Sequence, residues 1–459
     1  MALRDLFMLS ALLVMVPMIF IRPHTGAILW AWTAMLVPNT FLFGIGQSLR
    51  YNLIFAVATL LAWLFSKEPK KVPLNGTNLL LLFFLVWVAL ATAFGVAPAE
   101  VRWVELEKLI KIIVFTIVIT GLINTRLRVH ALLLGLCLGM GYHGAAEGMK
   151  FIASGGGHRV FGPGSSVIGD NNHFALAMIF ILPVVYYLYS YSAKLPVRLA
   201  FLGTFALIFV AIIGTFSRGG LITLAAVGFY GLFKAGHKFL LLFGLALAVA
   251  FVVLFAPEDW FARMGTIQEA DQVSSFMGRV AAWKISTLLA LEHPLLGGGL
   301  YAIQNNEIWF YYSTQFDRLS FIPTPPPDPD NAHAAHSIYF QVLGDAGFVG
   351  LGIFLAILFR TWRACGRLIR QTAAVPELEW ITNLARALRV SFVAYGIAGA
   401  ALNMAYFEMF YAFVILVAIQ ENIVKRHLAN APPHGQLGSL ATGRAAPGTD
   451  GERQVAVVP

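Results

Sequence analysis

Long uncharged apolar runs, separated by short polar ones, restrict this chain to very few folds. Residues Thr77–Phe94 and Phe239–Ala256 hold no charged side chain. Each is about long enough to cross a bilayer as a helix, which takes ~20 residues. Similar apolar runs recur at Leu6–Phe20, Ala27–Phe43, Asn52–Phe65, Leu109–Ile123, Ala131–Phe151, Phe174–Tyr189, Ala200–Phe216, Leu221–Phe233, Phe348–Phe359, Val390–Met404 and Phe407–Ile423. Only 12% of residues are charged against 58% hydrophobic, with mean hydropathy +0.74, so no soluble fold accommodates the pattern. Continuous runs also exclude a transmembrane β-barrel, whose strands alternate residue by residue. The expected fold class is an all-α polytopic membrane protein with about twelve transmembrane helices and one long outer loop.

Four regions follow. Residues 1–256 read as a transmembrane helical region, 257–337 as a periplasmic loop with short helices, and 338–429 as C-terminal transmembrane helices. Residues 430–459, rich in Ala, Gly and Pro, read as a disordered cytoplasmic tail. Pro17, Pro23 and Pro38 point to one short or re-entrant element within the first 45 residues. The N-terminus shows no small-residue cleavage site and reads as a retained first membrane element. Cys137 and Cys365 fall at different expected depths and suggest neither a disulfide nor a metal pair.

Lys and Arg set the expected orientation. Lys67–Lys71, Arg126 with Arg128, Lys194 with Arg198, Lys234 with Lys238, Arg360–Arg370 and Lys425 with Arg426 thread to one side, which should be the cytoplasm. The net charge of +9 is largely this topogenic signal. No basic stripe in a soluble module suggests nucleic acid as a partner.

Three arginines go against the trend. Arg218, in Gly214–Gly220, Arg159, in His158–Gly164, and Arg279, in Ser274–Trp283, all thread to the opposite side. Each has two readings: a snorkelling or surface arginine, or an anion clamp whose planar fork matches phosphate oxygens. A guanidinium at membrane depth costs about 2.5 kcal/mol or more unless paired. Asp170 or Asn171 is a natural N-cap for the helix starting near His173. Glu107 and Lys111 are spaced to pair along a helix.

The polar stretch ends at His333–Gly350. His333 and His336 are three residues apart, downstream of Asp328 and Asp330, so a divalent-metal site is one reading. The Pro-rich approach, Pro323–Pro329, cannot be helical and weighs against it. The other reading places His336 at the mouth of a helix capped by Ser337. There a neutral imidazole can take a proton from a hydroxyl near neutral pH. Gly344, Gly347 and Gly350 would let that helix pack closely.

Ala335–Gly350, Ser217–Gly220, Arg159–Pro163, Asp170–Asn172, Gly278 with Arg279, and His293–Gly299 together resemble the O-antigen ligase and polymerase superfamily. The likeness is closest to its exosortase-associated O-glycosylation ligase branch and covers roughly Arg102–Trp362 by motif order. It implies a GT-C-type glycosyltransferase in the bacterial inner membrane, its active site facing the periplasm. The donor implied is an undecaprenyl-pyrophosphate-linked glycan and the acceptor a lipid A–core sugar hydroxyl, with membrane lipids around it and no metal or other cofactor. Carried onto this chain, His336 is the base and Arg218, Arg279 and Arg159 bind pyrophosphate. Tyr339, Asn171, Asn172 and His333 are supporting candidates. Ser337 stands where Asn is frequent, and His333 is extra. A polymerase and a protein O-oligosaccharyltransferase share these motifs. A lipid-linked glycan flippase is the alternative from another class, and it would need basic residues along a path through the bilayer.

Overall fold

The computed structural model describes residues 3–234 and 270–430. The apolar run Phe239–Ala256, the start of the expected loop and the tail beyond Asn430 lie outside them. The described residues form helices and turns, without a β-strand. In chain order the helices are α1 (Leu3–Ile21), α2 (His24–Leu36), α3 (Gly44–Ser48), α4 (Tyr51–Phe65), α5 (Gly76–Phe94), α6 (Ala99–Leu122) and α7 (Arg126–Ala153). There follow α8 (Asn171–Tyr191), α9 (Leu195–Gly214), α10 (Arg218–Lys234), α11 (Ala270–Glu292), α12 (Asn306–Ser313), α13 (Ile338–Thr372), α14 (Glu379–Gly399) and α15 (Glu408–Asn430).

Six described helices, α1, α5, α7, α8, α9 and α13, are long and apolar enough to cross a membrane. This is an all-α polytopic membrane protein. The expectation of about twelve spans counted apolar runs alone. Several of those runs build helices that are short (α2, α4) or interrupted by charge (α6, α14, α15). Ala27–Phe43 is not one element. α2 stops at Leu36, Val37 turns left-handed, and Pro38 opens a 3-10 turn. Pro23 and Pro38 thus bracket a 13-residue helix, whereas Pro17 lies inside α1. Within the 257–337 stretch, α11 runs for 23 residues.

Water does not drive helices together inside lipid, so close backbone approach has to. α7 supplies it on two faces. A Cβ at Gly139 would stand 2.6 Å from the Trp32 carbonyl oxygen of α2, and one at Gly148 would meet the Leu207 carbonyl of α9. Beyond it, Phe180 of α8 packs on Phe413 of α15, and Tyr395 of α14 on Phe410, each pair with ring centroids 4.5 Å apart.

The bundle has two chemically different ends. At one, Arg128 forks onto Glu68 (2.9 and 2.7 Å), Arg126 lies over Tyr191, and Arg360 reaches Thr77. The chain alternates direction from there. The C-terminal ends of α7 and α9 and the N-terminal ends of α8, α10 and α13 therefore gather at the other end.

α13 is broken inside. Gly347 has φ +68° and ψ −171°, which frees backbone groups mid-helix. The His293–Gly299 loop fills the break. Gly298 N–H donates to the Gly344 carbonyl (2.8 Å), Gly299 N–H to Asp345 (3.0 Å), and Phe348 N–H to Pro294 (2.9 Å). Trp87 Nε1–H donates to both the Leu295 and Ala346 carbonyls, each at 3.2 Å. A Cβ at Gly347 would lie 2.6 Å from the Leu295 carbonyl oxygen. Gly347→Ala is therefore expected to destabilise the fold by about 1–3 kcal/mol. A thermal melt in detergent would show it as a lowered midpoint, and an unchanged midpoint would contradict this account of the break.

Candidate functional site

The site assembles from four segments at the end of the bundle away from the Glu68–Arg128 pair. The first is the start of α8. Asp170 caps that helix through Oδ1, which accepts from the Asn172 (2.8 Å) and His173 (3.3 Å) amides. This is the cap its spacing suggested, and it stabilises such a helix by about 1 kcal/mol. The same oxygen stands 3.2 Å from His173 Nδ1.

The second segment is the α9–α10 turn that carries Arg218. Asn171 Nδ2 donates to the Thr215 carbonyl (2.8 Å), and Ser217 Oγ donates to Asn172 Oδ1 (2.7 Å). Ser217 Oγ also accepts from Gly220 N–H (3.0 Å), which caps α10. Phe216 takes a left-handed φ of 55° to make this turn. Arg218 follows as the first residue of α10.

The third segment bears Arg159. Val160 N–H donates to the Gly214 carbonyl at 2.7 Å, which ties it to the same turn. His158 Nε2 pairs with Glu147 Oε2 of α7 at 2.7 Å, fixing it from the other side. The Arg159 guanidinium lies over the Phe161 ring, 5.0 Å from its centroid.

The fourth segment joins α11 to the start of α13. Trp283 Nε1–H donates to the Ala335 carbonyl (2.8 Å), and its ring stacks on Phe340 (5.1 Å between centroids). Arg279 lies one turn before Trp283, on the same helical face. Its charge acts on His336, the residue after Ala335. His336 itself adopts a left-handed φ of 45°, a conformation costing a β-carbon-bearing residue ~1–3 kcal/mol and found disproportionately at functional sites.

The charges of these segments act on one another. Burial, first, and then the charges of Arg279, His173 and His333 push the His336 pKa down to about 4, with Asp170 acting the other way. His336 is thus a neutral imidazole at any physiological pH. Burial also lowers the proton affinity of Arg279, with Asp170 again opposing. The guanidinium nevertheless remains a cation, as arginine does in proteins. For Asp170, burial disfavours the charge, but the hydrogen bonds from His173 and the Asn172 amide, together with His173's charge, outweigh it and hold the carboxyl below its ordinary range.

Other expected residues fall elsewhere or act differently. Ser337 occupies the N-cap position of α13 without capping it, and its Oγ is buried with no hydrogen-bond partner among the described residues. Its left-handed neighbour orients it inward, and only its carbonyl accepts, from Gln341 N–H (2.8 Å). Tyr339 turns its hydroxyl to the Gly396 carbonyl of α14 (2.7 Å), a bundle contact. His333 is exposed, with its ring edge on Trp309, and reaches His336 only through its field. The Asp328 carboxylate accepts from Asp330 N–H (3.1 Å), so that pair of acids spells a turn. Among the described residues no cluster of His, Cys, Asp and Glu gathers as a metal would require. The Glu107–Lys111 pair forms as its spacing indicated.

Two residues carry more than their sequence context indicated. His173 joins the site although only its helix-start position was legible; a His three residues after a capping Asp was the available signal. Asp345 is buried in α13, accepting from Tyr301 N–H and from Tyr406 O–H, both at 2.9 Å. Its signal was a lone acid within an apolar helix, and it pins the loop that fills the break.

A multi-pass helical membrane protein with a neutral histidine under the charge of Arg279 at one end is the class this fold and site define. Residues 203–355, which include Arg218, Arg279, His333 and His336, match the family described as O-antigen ligase. Residues 3–193, which include Arg159, Asp170 and His173, match a family of unknown function. No curated protein matches the chain.

The electrostatics give a direct test. In a histidine NMR titration of the free protein, the His336 ring should titrate near pH 4. Arg279→Gln removes the largest opposing charge and should move that midpoint upward. A midpoint at the ordinary value of about 6.5 would contradict the site as described.

Proposed function

We propose that this protein transfers a glycan from undecaprenyl pyrophosphate to a sugar hydroxyl of lipid A–core at the periplasmic face of the bacterial inner membrane. The observation that carries the reading is His336, a half-buried neutral imidazole under the charge of Arg279, at the end of the bundle away from the Arg126–Arg128 end. The positive-inside rule, by which a Lys- and Arg-rich end faces the cytoplasm, supports a periplasmic position for His336. The match of residues 203–355 to the O-antigen ligase family supports a ligase or polymerase activity.

In this reading the acceptor O–H gives its proton to a nitrogen of His336 as its oxygen attacks the anomeric carbon. The anomeric C–O bond to the pyrophosphate breaks, and polyprenyl pyrophosphate leaves with the electron pair. Arg279, Arg218 and Arg159 neutralise the charge that grows on the leaving group. Fixed guanidinium groups in a poorly hydrated site do this at little reorganisation cost. A single displacement of this kind inverts the anomeric centre.

General-base catalysis contributes roughly 10²–10⁴-fold. His336→Ala should lower transfer by about that factor while undecaprenyl pyrophosphate still binds, and Arg279→Ala should weaken that binding. Transfer and binding assays on the purified variants check both, and full activity of His336→Ala would refute its role. Elongation when only the lipid-linked donor is supplied would assign the protein as a polymerase instead.

A further inference from the structure

We propose that the end of the bundle bearing Arg126 and Arg128 holds a site for the phosphodiester head of an anionic phospholipid, clamped by Arg389 of α14 and Arg370 of α13. The His130 ring of α7 lies 5.4 Å from that of Trp380 at the start of α14, which joins the polar ends of the two helices. On α13, Trp362, Gly366 and Arg370 are spaced four residues apart and share one face. Arg389 lies across that face, its guanidinium carbon 4.2 Å from the centroid of the Trp362 ring. A Cβ at Gly366 would stand 3.6 Å from Arg389 Nη1 and 3.8 Å from Arg370 Nη1. Two guanidinium groups therefore converge on one point.

Cations held this close favour an anion between them, and the described residues supply none. Glu421 is taken by Arg367 at 2.8 Å. Neither Arg370 nor Arg389 forms an ion pair or a side-chain hydrogen bond with a described residue. Arg389 Nε is moreover buried without a hydrogen-bond partner, a costly state for a charged group that a ligand oxygen would relieve. Phosphate oxygens match the planar fork of arginine.

The surroundings point to a lipid as the carrier of that phosphate. Away from the polar end along α13, Phe359 stacks on Trp362 with 6.5 Å between centroids and is 58% exposed. Leu355, one turn further, is 43% exposed. Arg363 lies over Phe359, 5.4 Å from its centroid, and adds positive charge at the rim. An open apolar strip thus leads to an indole and then to two arginines. A phospholipid presents acyl chain, glycerol and phosphate in the same order. Basic pockets between membrane helices hold lipid head groups in this way. A zwitterionic head would bring an ammonium that both guanidinium groups repel, so the fit is to an anionic lipid.

The test is binding of phosphatidylglycerol and, separately, phosphatidylcholine to the full chain in a neutral detergent. The wild type should bind phosphatidylglycerol roughly tenfold more tightly, the scale of a charge-assisted hydrogen bond. Arg389→Gln and Arg370→Gln should each remove about that factor. The Arg370 side chain is exposed, so its variant keeps the fold even where Arg389→Gln does not. Arg198→Gln is the control for diffuse charge, since Arg198 is exposed on α9 at the same end and lies over Tyr189. It should bind phosphatidylglycerol as the wild type does. An equal loss in Arg198→Gln, wild-type affinity in Arg370→Gln, or equal affinity of the wild type for both lipids would overturn the inference. Inorganic phosphate binding as tightly as phosphatidylglycerol would overturn the lipid assignment and leave a plain anion site.

Discussion

Inside a bilayer every backbone N–H and C=O has to find its partner within the protein, and the break in α13 is where this chain meets that demand most openly. Gly347 leaves the helical path, and the His293–Gly299 loop supplies donors and acceptors that the helix no longer provides. Trp87 bridges both sides of the break, and Asp345 holds the far side of the loop. With that end of α13 locked, its N-terminal turn and the strained His336 before it have a fixed address. α11 is held to the same place through Trp283, and it brings Arg279 with it.

The charge of Arg279 acts on His336 at the polar end that results, and the Asp170 carboxylate is already committed to a helix N-terminus and a histidine. The imidazole of His336 cannot easily take a proton in such a field, so it waits as an acceptor. A pyrophosphate-bearing substrate would reverse the field and raise the affinity of that imidazole for a proton just when a hydroxyl must lose one. Substrate binding and base strength are linked by the same charges.

Local chemistry was legible in the sequence, and long-range geometry was not. Apolar runs are intrinsic to a helix in lipid, so the all-α membrane class could be read directly. Arg159, Arg218, Arg279 and His336 stood out because each sits in a short polar motif between such runs. The run Ala27–Phe43 misled because hydropathy does not register the left-handed turn at Val37. Ser337 had a capping residue's identity and position, but the inward turn after His336 decides where its hydroxyl points. Tyr339 belongs to the same motif, and its hydroxyl turns to the Gly396 carbonyl of α14, a partner that hydropathy does not reveal. The action of His173 on His336 runs between elements distant in sequence, which no local spacing announces.

The most direct test of the account is the linkage made by the purified chain when supplied with a glycan on undecaprenyl pyrophosphate and a lipid A–core acceptor. NMR of the product should show the glycan joined to the core sugar with its anomeric configuration inverted, as attack by a hydroxyl deprotonated at His336 requires. A retained configuration, or no product on lipid A–core, would contradict it.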